Sequence, residues 1–112
     1  MNWVFYKFYK TKPLFTRHVQ QRALQRIRLY LTKTEQADIR FFLERDFKTA
    51  KVDFSKHMSP FLVNKNDTIY GKNSFIASSK YFNYYGNYSE SEDMLIIKTV
   101  VVKSRDQKPL RE

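Results

Sequence analysis

The residues best suited to chemistry in this sequence are the arginines and lysines of its first third. Guanidinium and ammonium groups bind phosphate oxygens and other anions. Residues 1–34 hold eight of them and no Asp or Glu, so most of the net charge of +10 lies at this end of the chain. A solvated basic face that keeps the protein soluble is the alternative. We predict a polyanion-binding surface formed by Lys7, Lys10, Lys12, Arg17, Arg22, Arg26, Arg28 and Lys33.

Other residue types that could do chemistry are few and scattered. The chain has no cysteine, and its two histidines, His18 and His57, stand apart from any catalytic or metal-binding motif. Glu90, Glu92 and Asp93 cluster, but they lack the spacing and the glycine of a calcium loop, so we interpret them as a solvated turn. The sequence therefore predicts no catalytic residue, no metal site and no cofactor, and it favours a protein that is not an enzyme.

An amphipathic helix is expected to position the arginines. Between Arg17 and Lys33, apolar side chains fall within about 140° of arc if the chain is helical. These side chains are Val19, Ala23, Leu24, Ile27, Tyr30 and Leu31. The arginines lie on the opposite side with Gln21 and Gln25, so one face can pack on a core while the other meets a polar partner. We predict a first helix over about 14–31, with Pro13 suited to its first turn.

A second helix is indicated directly after the first. Thr32 and Glu35 fit a capping box, which predicts a helix over about 35–48. Its inner face is formed by Ile39, Phe42, Leu43 and Phe47. Phe41 points away from that face and is predicted to contact a partner or the first helix.

After residue 50 the pattern changes to short apolar runs. Phe61–Val63 and Thr68–Tyr70 are interpreted as short strands, and 94–102 as an inner strand because both of its faces are apolar. The sequence thus predicts an α+β fold in which two N-terminal helices pack on a small, mostly antiparallel sheet. Residues 13–103 are expected to form a single domain.

Both ends of the chain differ from this domain. Residues 1–12 are aromatic and basic, and they predict a short strand or an extended arm in which Trp3 and Phe5 contact a partner. Residues 104–112 form a polar C-terminal tail. Chain ends are rarely ordered unless something holds them. We therefore expect neighbouring protein subunits rather than a free monomer.

Composition limits the compartment. No stretch has the 18 or more apolar residues of a membrane span, and no secretory signal precedes the basic region, so we expect an intracellular protein that is neither secreted nor membrane-spanning. Phe, Tyr, Ile, Asn and Lys total 43 residues against 17 for Gly, Ala, Arg and Pro, which indicates an AT-rich genome. The acid-free, arginine-bearing N-terminus is similar to a mitochondrial presequence, and the mitochondrial matrix is one candidate compartment.

Together these features predict a non-enzymatic structural subunit of a large assembly. It would bind nucleic acid, with structured RNA favoured, or another polyanion through the basic N-terminal arm and the arginine-rich helix, as ribosomal proteins do with their basic extensions. The alternative is an accessory protein–protein subunit of a phage particle or of an organellar membrane complex, with no nucleic-acid contact. Acidic side chains or anionic lipid would then meet the arginine helix.

Overall fold

The computed structural model describes residues 3–53 and 59–103, apart from the side chain of Phe5, and it has an α+β fold. The predicted tail at 104–112 lies outside the described residues. In chain order the helices are α1 (Val4–Lys7), α2 (Arg17–Ile27), α3 (Lys33–Ala37), α4 (Ile39–Phe47) and α5 (Pro60–Tyr70). The strands are β1 (Pro13–Leu14), β2 (Lys51–Val52), β3 (Ser74–Ser78), β4 (Phe82–Ser89) and β5 (Met94–Val102).

The strands form one mixed sheet in the order β1-β5-β4-β3-β2. Strands β2 to β5 pair antiparallel in sequence order, and β1 adds to β5 in parallel through Pro13 opposite Leu95 and Leu14 opposite Ile96. The inner position and the bounds predicted for β5 are confirmed, since it lies between β1 and β4. The parallel edge strand makes the sheet mixed.

The core lies between the helices and one face of this sheet. Helix α2 packs on β5 and buries Val19, Ala23 and Ile27, as its apolar periodicity predicts. Helix α4 brings Phe47 against the rings of Phe8, Phe15, Phe75 and Tyr84, with ring centroids 5.1 to 6.2 Å apart. Three of these contacts are edge-to-face and the one with Phe8 is tilted, and such aromatic contacts add to the free energy gained by burying apolar area.

The first helix starts later than predicted. Residues 13 and 14 form β1 instead of a helical turn, and the backbone N–H of Leu95 donates to the carbonyl oxygen of Lys12 at 2.9 Å. Thr16 then caps α2, because its side-chain oxygen accepts a hydrogen bond from the N–H of Val19 at 3.2 Å. After Ile27 the chain tightens into a 3-10 turn over Arg28–Tyr30.

The second predicted helix is divided in two. The capping box is confirmed: the N–H of Glu35 donates to Thr32 Oγ1 at 3.1 Å, and the N–H of Thr32 donates to Glu35 Oε1 at 2.8 Å. Asp38 leaves the helical region at φ −127° and ψ 67° and separates α3 from α4. Its side chain caps α4 by accepting from the N–H of Phe41 at 3.3 Å. An Asx side chain that bonds to the nearby backbone competes with helix continuation.

Near the start of the chain, the structure has helical turns in place of the predicted strand or arm. Val4–Lys7 is a short helix, and Phe8–Lys10 is a 3-10 turn. Val4 and Phe8 are buried in the core. In a helix, side chains four residues apart lie on one face. In a strand, the residue midway between two such side chains would lie on that same face.

The two short strands expected in 60–70 are wrong, because Pro60–Tyr70 forms helix α5. Ser59 caps it by accepting from the N–H of Leu62 at 3.4 Å, and Pro60 occupies the first turn, where its missing N–H costs nothing. The half-buried positions follow a helical period and are Leu62, Val63, Asn66, Asp67 and Tyr70. Two of these five are polar, so the apolar pattern of a helix is interrupted in the sequence.

Candidate nucleic-acid interface

The central part of the candidate interface is the side of α2 that faces away from the core. Burial of Val19, Ala23 and Ile27 on β5 fixes the rotation of the helix. The positively charged residues on its other side are all exposed, and they are Arg17, Arg22 and Arg26. His18, Gln21 and Gln25 are exposed beside them. The arrangement presents guanidinium and amide donors to one partner surface.

The arginines of α2 are not neutralised by acidic neighbours in the described part of the chain. Within residues 3–53 and 59–103, ion pairs join Lys7 to Asp93 at 3.9 Å and Arg40 to Glu44 at 3.4 Å. Neither pair involves α2. A cluster of unneutralised cations on one face raises the local potential and attracts a polyanion.

Lys7 differs from the other predicted binding residues because it is engaged within the protein. Its ammonium group lies near Asp93 in the β4–β5 turn and 6.0 Å from the ring centroid of Tyr88. The hydroxyl of Tyr88 donates to Asp93 Oδ1 at 2.6 Å, and this hydrogen bond is the main cause of the raised pKa of Tyr88. Lys7 therefore has the least freedom to reach a phosphate.

Lys10 and Lys12 lie near a third cation, Lys48, which the sequence did not predict as a binding residue. Both line a cleft of about 250 Å³ together with Lys48, which follows the last turn of α4. All three lysines are exposed. Lys48 lies in a stretch of the sequence where acidic and basic residues balance, so composition gives no signal for it.

The remaining two predicted cations lie around the end of α2. Arg28 is exposed in the 3-10 turn and lines a shallow depression with Leu24, Gln25 and Gln36. The Gln36 side chain holds this turn, since its Nε2 donates to the carbonyl oxygens of Arg28 at 3.3 Å and Leu31 at 3.1 Å. Lys33 is exposed in the first turn of α3.

A stacked aromatic pair lies on the face of the sheet opposite to α2, because Tyr85 alternates along β4 with Tyr84, which faces the core. The rings of Tyr70 on α5 and Tyr85 on β4 stack with centroids 5.5 Å apart, and both are half-buried. Burial is the main cause of the raised pKa of Tyr70, while the charge of Arg26 acts in the opposite direction. Tyr70 was missed because its segment was interpreted as a strand.

The predicted partner contacts differ in their surroundings. Trp3 is half-buried, and its ring stacks on Tyr88 at 5.2 Å and meets the ring of Phe75 at 6.3 Å. The side chain of Phe5 lies outside the described part of the structure. Phe41 is 59% exposed, and the guanidinium of Arg45 lies 5.8 Å from its ring centroid.

Three observations bear on other classes of function. His57 lies outside the described residues, and within 3–53 and 59–103 no three His, Asp or Glu side chains are grouped to hold a metal ion. In the same ranges, no helix combines the length and the apolar character that crossing a bilayer requires. No protein-family model, curated protein or solved structure matches the chain.

Proposed function

We propose that this protein is a non-enzymatic, RNA-binding structural subunit of a large intracellular assembly, similar in role to a ribosomal protein. The observation that carries the proposal is the outer side of α2. Arg17, Arg22 and Arg26 are exposed there, and residues 1–34 contain no acidic residue. Binding by such a surface releases condensed counterions from a phosphate backbone, which favours association with little dependence on sequence.

A stacked tyrosine pair on which the charge of Arg26 acts favours RNA over duplex DNA. Specific RNA recognition uses unpaired bases that stack on aromatic side chains, and such bases are common in RNA loops and bulges. The charge of Arg26 acts on Tyr70, which stacks on Tyr85. We therefore expect an RNA bound to α2 to reach this tyrosine pair as well.

The test is a salt titration of RNA affinity in a charge variant of α2. The double variant Arg22→Gln, Arg26→Gln removes two phosphate contacts and two positive charges while keeping polar side chains that can donate hydrogen bonds. We expect weaker binding to a structured RNA hairpin and a plot of log K against log salt that is flatter by about 1.4 to 1.8. Fluorescence anisotropy over a range of salt concentrations measures both quantities.

A matched control removes the same charge elsewhere. Lys51 in β2 is exposed at the opposite edge of the sheet from β5, where α2 packs, and Lys80 is exposed in the turn before β4. The variant Lys51→Gln, Lys80→Gln should retain the salt slope of the wild type. Equal slopes in the wild type and the α2 variant would reject the proposal.

A second candidate function is supported by Phe41. An apolar ring that is 59% exposed, flanked by Arg45, has the composition of a protein-interface anchor. A cleft of about 330 Å³ beside it is lined by both rings of the Phe41–Phe42 pair, Arg45 and the polar residues that cap α3 and α4. This favours an accessory protein–protein subunit that needs no nucleic acid.

Release from the native particle distinguishes the two functions. An RNA-bound subunit should leave the particle after RNase treatment or at high salt, and Phe41→Ser should have little effect. A subunit anchored by protein contacts should resist RNase and be lost in Phe41→Ser. Leu29→Ser is the matched control, since Leu29 is 62% exposed and does not line the cleft beside Phe41.

A further inference from the structure

The cleft between the N-terminal turns and the end of α4 combines a fixed aromatic ring with three cations. Phe8–Pro13 form one wall, and Phe47, Lys48 and Ala50 form the other. We propose that this cleft binds one unpaired nucleotide, with its base on Tyr9 and its phosphates among Lys10, Lys12 and Lys48. The proposal rests on the proposed RNA-binding function and extends it to a second site and to single-stranded RNA.

Tyr9 has the properties of a preformed stacking surface. Its hydroxyl accepts a hydrogen bond from the backbone N–H of Val52 at 3.1 Å, and its ring meets the ring of Phe8 at 5.0 Å and 85°. These contacts restrain both ends of the side chain, yet 61% of the residue is exposed. A ring that is already ordered loses little conformational entropy when a base stacks on it.

The charge of the cleft favours an anion. Its lining residues include Lys10, Lys12 and Lys48 and no acidic residue. The C-terminal end of α4 also points here, and a helix C-terminus carries about half a negative charge. Two carbonyl oxygens at that end already accept hydrogen bonds: the N–H groups of Thr49 and Ala50 donate to the carbonyl oxygens of Asp46 and Phe47 at 3.0 Å. Three ammonium groups exceed the remaining partial charge.

A nucleotide fits this combination better than other anions. A fatty acid would need an enclosed apolar channel, whereas Phe8 and Phe47 are buried and Tyr9 is the ring that solvent reaches. A base that stacks on one tyrosine face is stabilised there and places its phosphates at the rim, where lysines bind them as point charges.

The test compares two single strands with the same number of phosphates. One is an oligouridylate about eight nucleotides long, and the other is the equally long abasic chain. We expect the wild type to bind the base-bearing strand about tenfold more tightly. Tyr9→Leu should remove this preference and leave affinity for the abasic strand unchanged. Tyr9→Phe keeps the ring and should retain most of the preference.

Lysine variants test the phosphate contact separately. Lys48→Gln should weaken binding of both strands and flatten the salt slope by about 0.7. The neighbouring Lys51→Gln removes the same charge outside the cleft and should change neither quantity. Circular dichroism of each variant shows whether the fold is kept.

The possible failures are distinguishable. Binding of both strands with equal affinity, or a base preference that survives in Tyr9→Leu, would overturn the cleft proposal and leave the function of α2 intact. A slope unchanged in Lys48→Gln would also overturn it. No affinity of the wild type for either strand or for a structured RNA hairpin would overturn both proposals.

Discussion

The hydrogen bond between Tyr84 and Asp46 links β4 to α4 in the centre of the protein. Tyr84 is fully buried, and its hydroxyl donates to Asp46 Oδ2. Burial, followed by the charge of Asp46 and the hydrogen bond to it, raises the pKa of Tyr84 well above its ordinary value. Tyr84→Phe removes the hydroxyl and keeps the ring, so it isolates this bond.

The Tyr84 hydroxyl should have two opposing effects on the free energy of unfolding. Its hydrogen bond stabilises the folded protein, and its titration in the unfolded state favours unfolding at high pH. At pH 7 the variant loses a hydrogen bond to a charged group, and because Asp46 is half-buried and water can reach it, the loss is at the low end, about 1.5 kcal/mol. Above about pH 10 the unfolded wild type releases the Tyr84 proton while the folded protein keeps it. At pH 11 this favours unfolding of the wild type by about 1.4 kcal/mol.

We therefore expect the stability difference between wild type and Tyr84→Phe to fall from about 1.5 kcal/mol at pH 7 to near zero at pH 11. Urea unfolding measures it, with fluorescence of Trp3, which stacks on Tyr88, as the probe. Asp46→Asn is the matched control. This variant should be less stable than wild type at pH 7. Its free energy of unfolding should still decrease between pH 7 and pH 11, since burial is the leading cause of the raised pKa of Tyr84. A difference that stays constant between pH 7 and pH 11 would refute the reasoning.

Three further variants test the fold by the same unfolding assay. Gly86→Ala should cost roughly 3 kcal/mol or prevent folding, because a Cβ there would lie 2.1 Å from the carbonyl oxygen of Ile96; wild-type stability would contradict this. Ile27→Ala should cost about 3 kcal/mol through the cavity left at a fully buried site, and a loss below about 1 kcal/mol would show that the core closes around it. Thr32→Ala should cost about 1 kcal/mol, and adding Glu35→Ala should cost less than it does alone, since the two side chains form one capping box.

The parts of the fold predicted from the sequence are those in which one local rule decides the structure. The apolar face of α2 repeats with a helical period, and Val19, Ala23 and Ile27 are buried as that period requires. The run 94–102 is apolar on both faces, and it forms the inner strand with the predicted bounds. In both segments burial and local propensity favour the same conformation.

The errors occur where side-chain hydrogen bonds replace apolar periodicity. In α5 the half-buried Asp67 accepts from the backbone N–H of Ser74 at 3.0 Å, so a carboxylate occupies a position where the helical pattern needs an apolar residue. At Asp38 a side-chain cap divides a segment whose apolar spacing runs continuously through it. Pairing of β1 with β5 joins residues about eighty positions apart, and no local pattern reports such a contact.

The same distinction separates the two proposed binding surfaces. The arginines of α2 can be assigned from the sequence because the period that buries Ile27 also exposes Arg22 and Arg26. The cleft cannot be assigned in this way, since Tyr9 is held by Val52 and faces Lys48, each about forty residues away in the chain. Disrupting the hydrogen bond between Asp46 of α4 and Tyr84 should therefore impair binding in the cleft more than binding by the basic side of α2. Measuring oligouridylate preference and hairpin affinity in Asp46→Asn compares the two surfaces in one molecule.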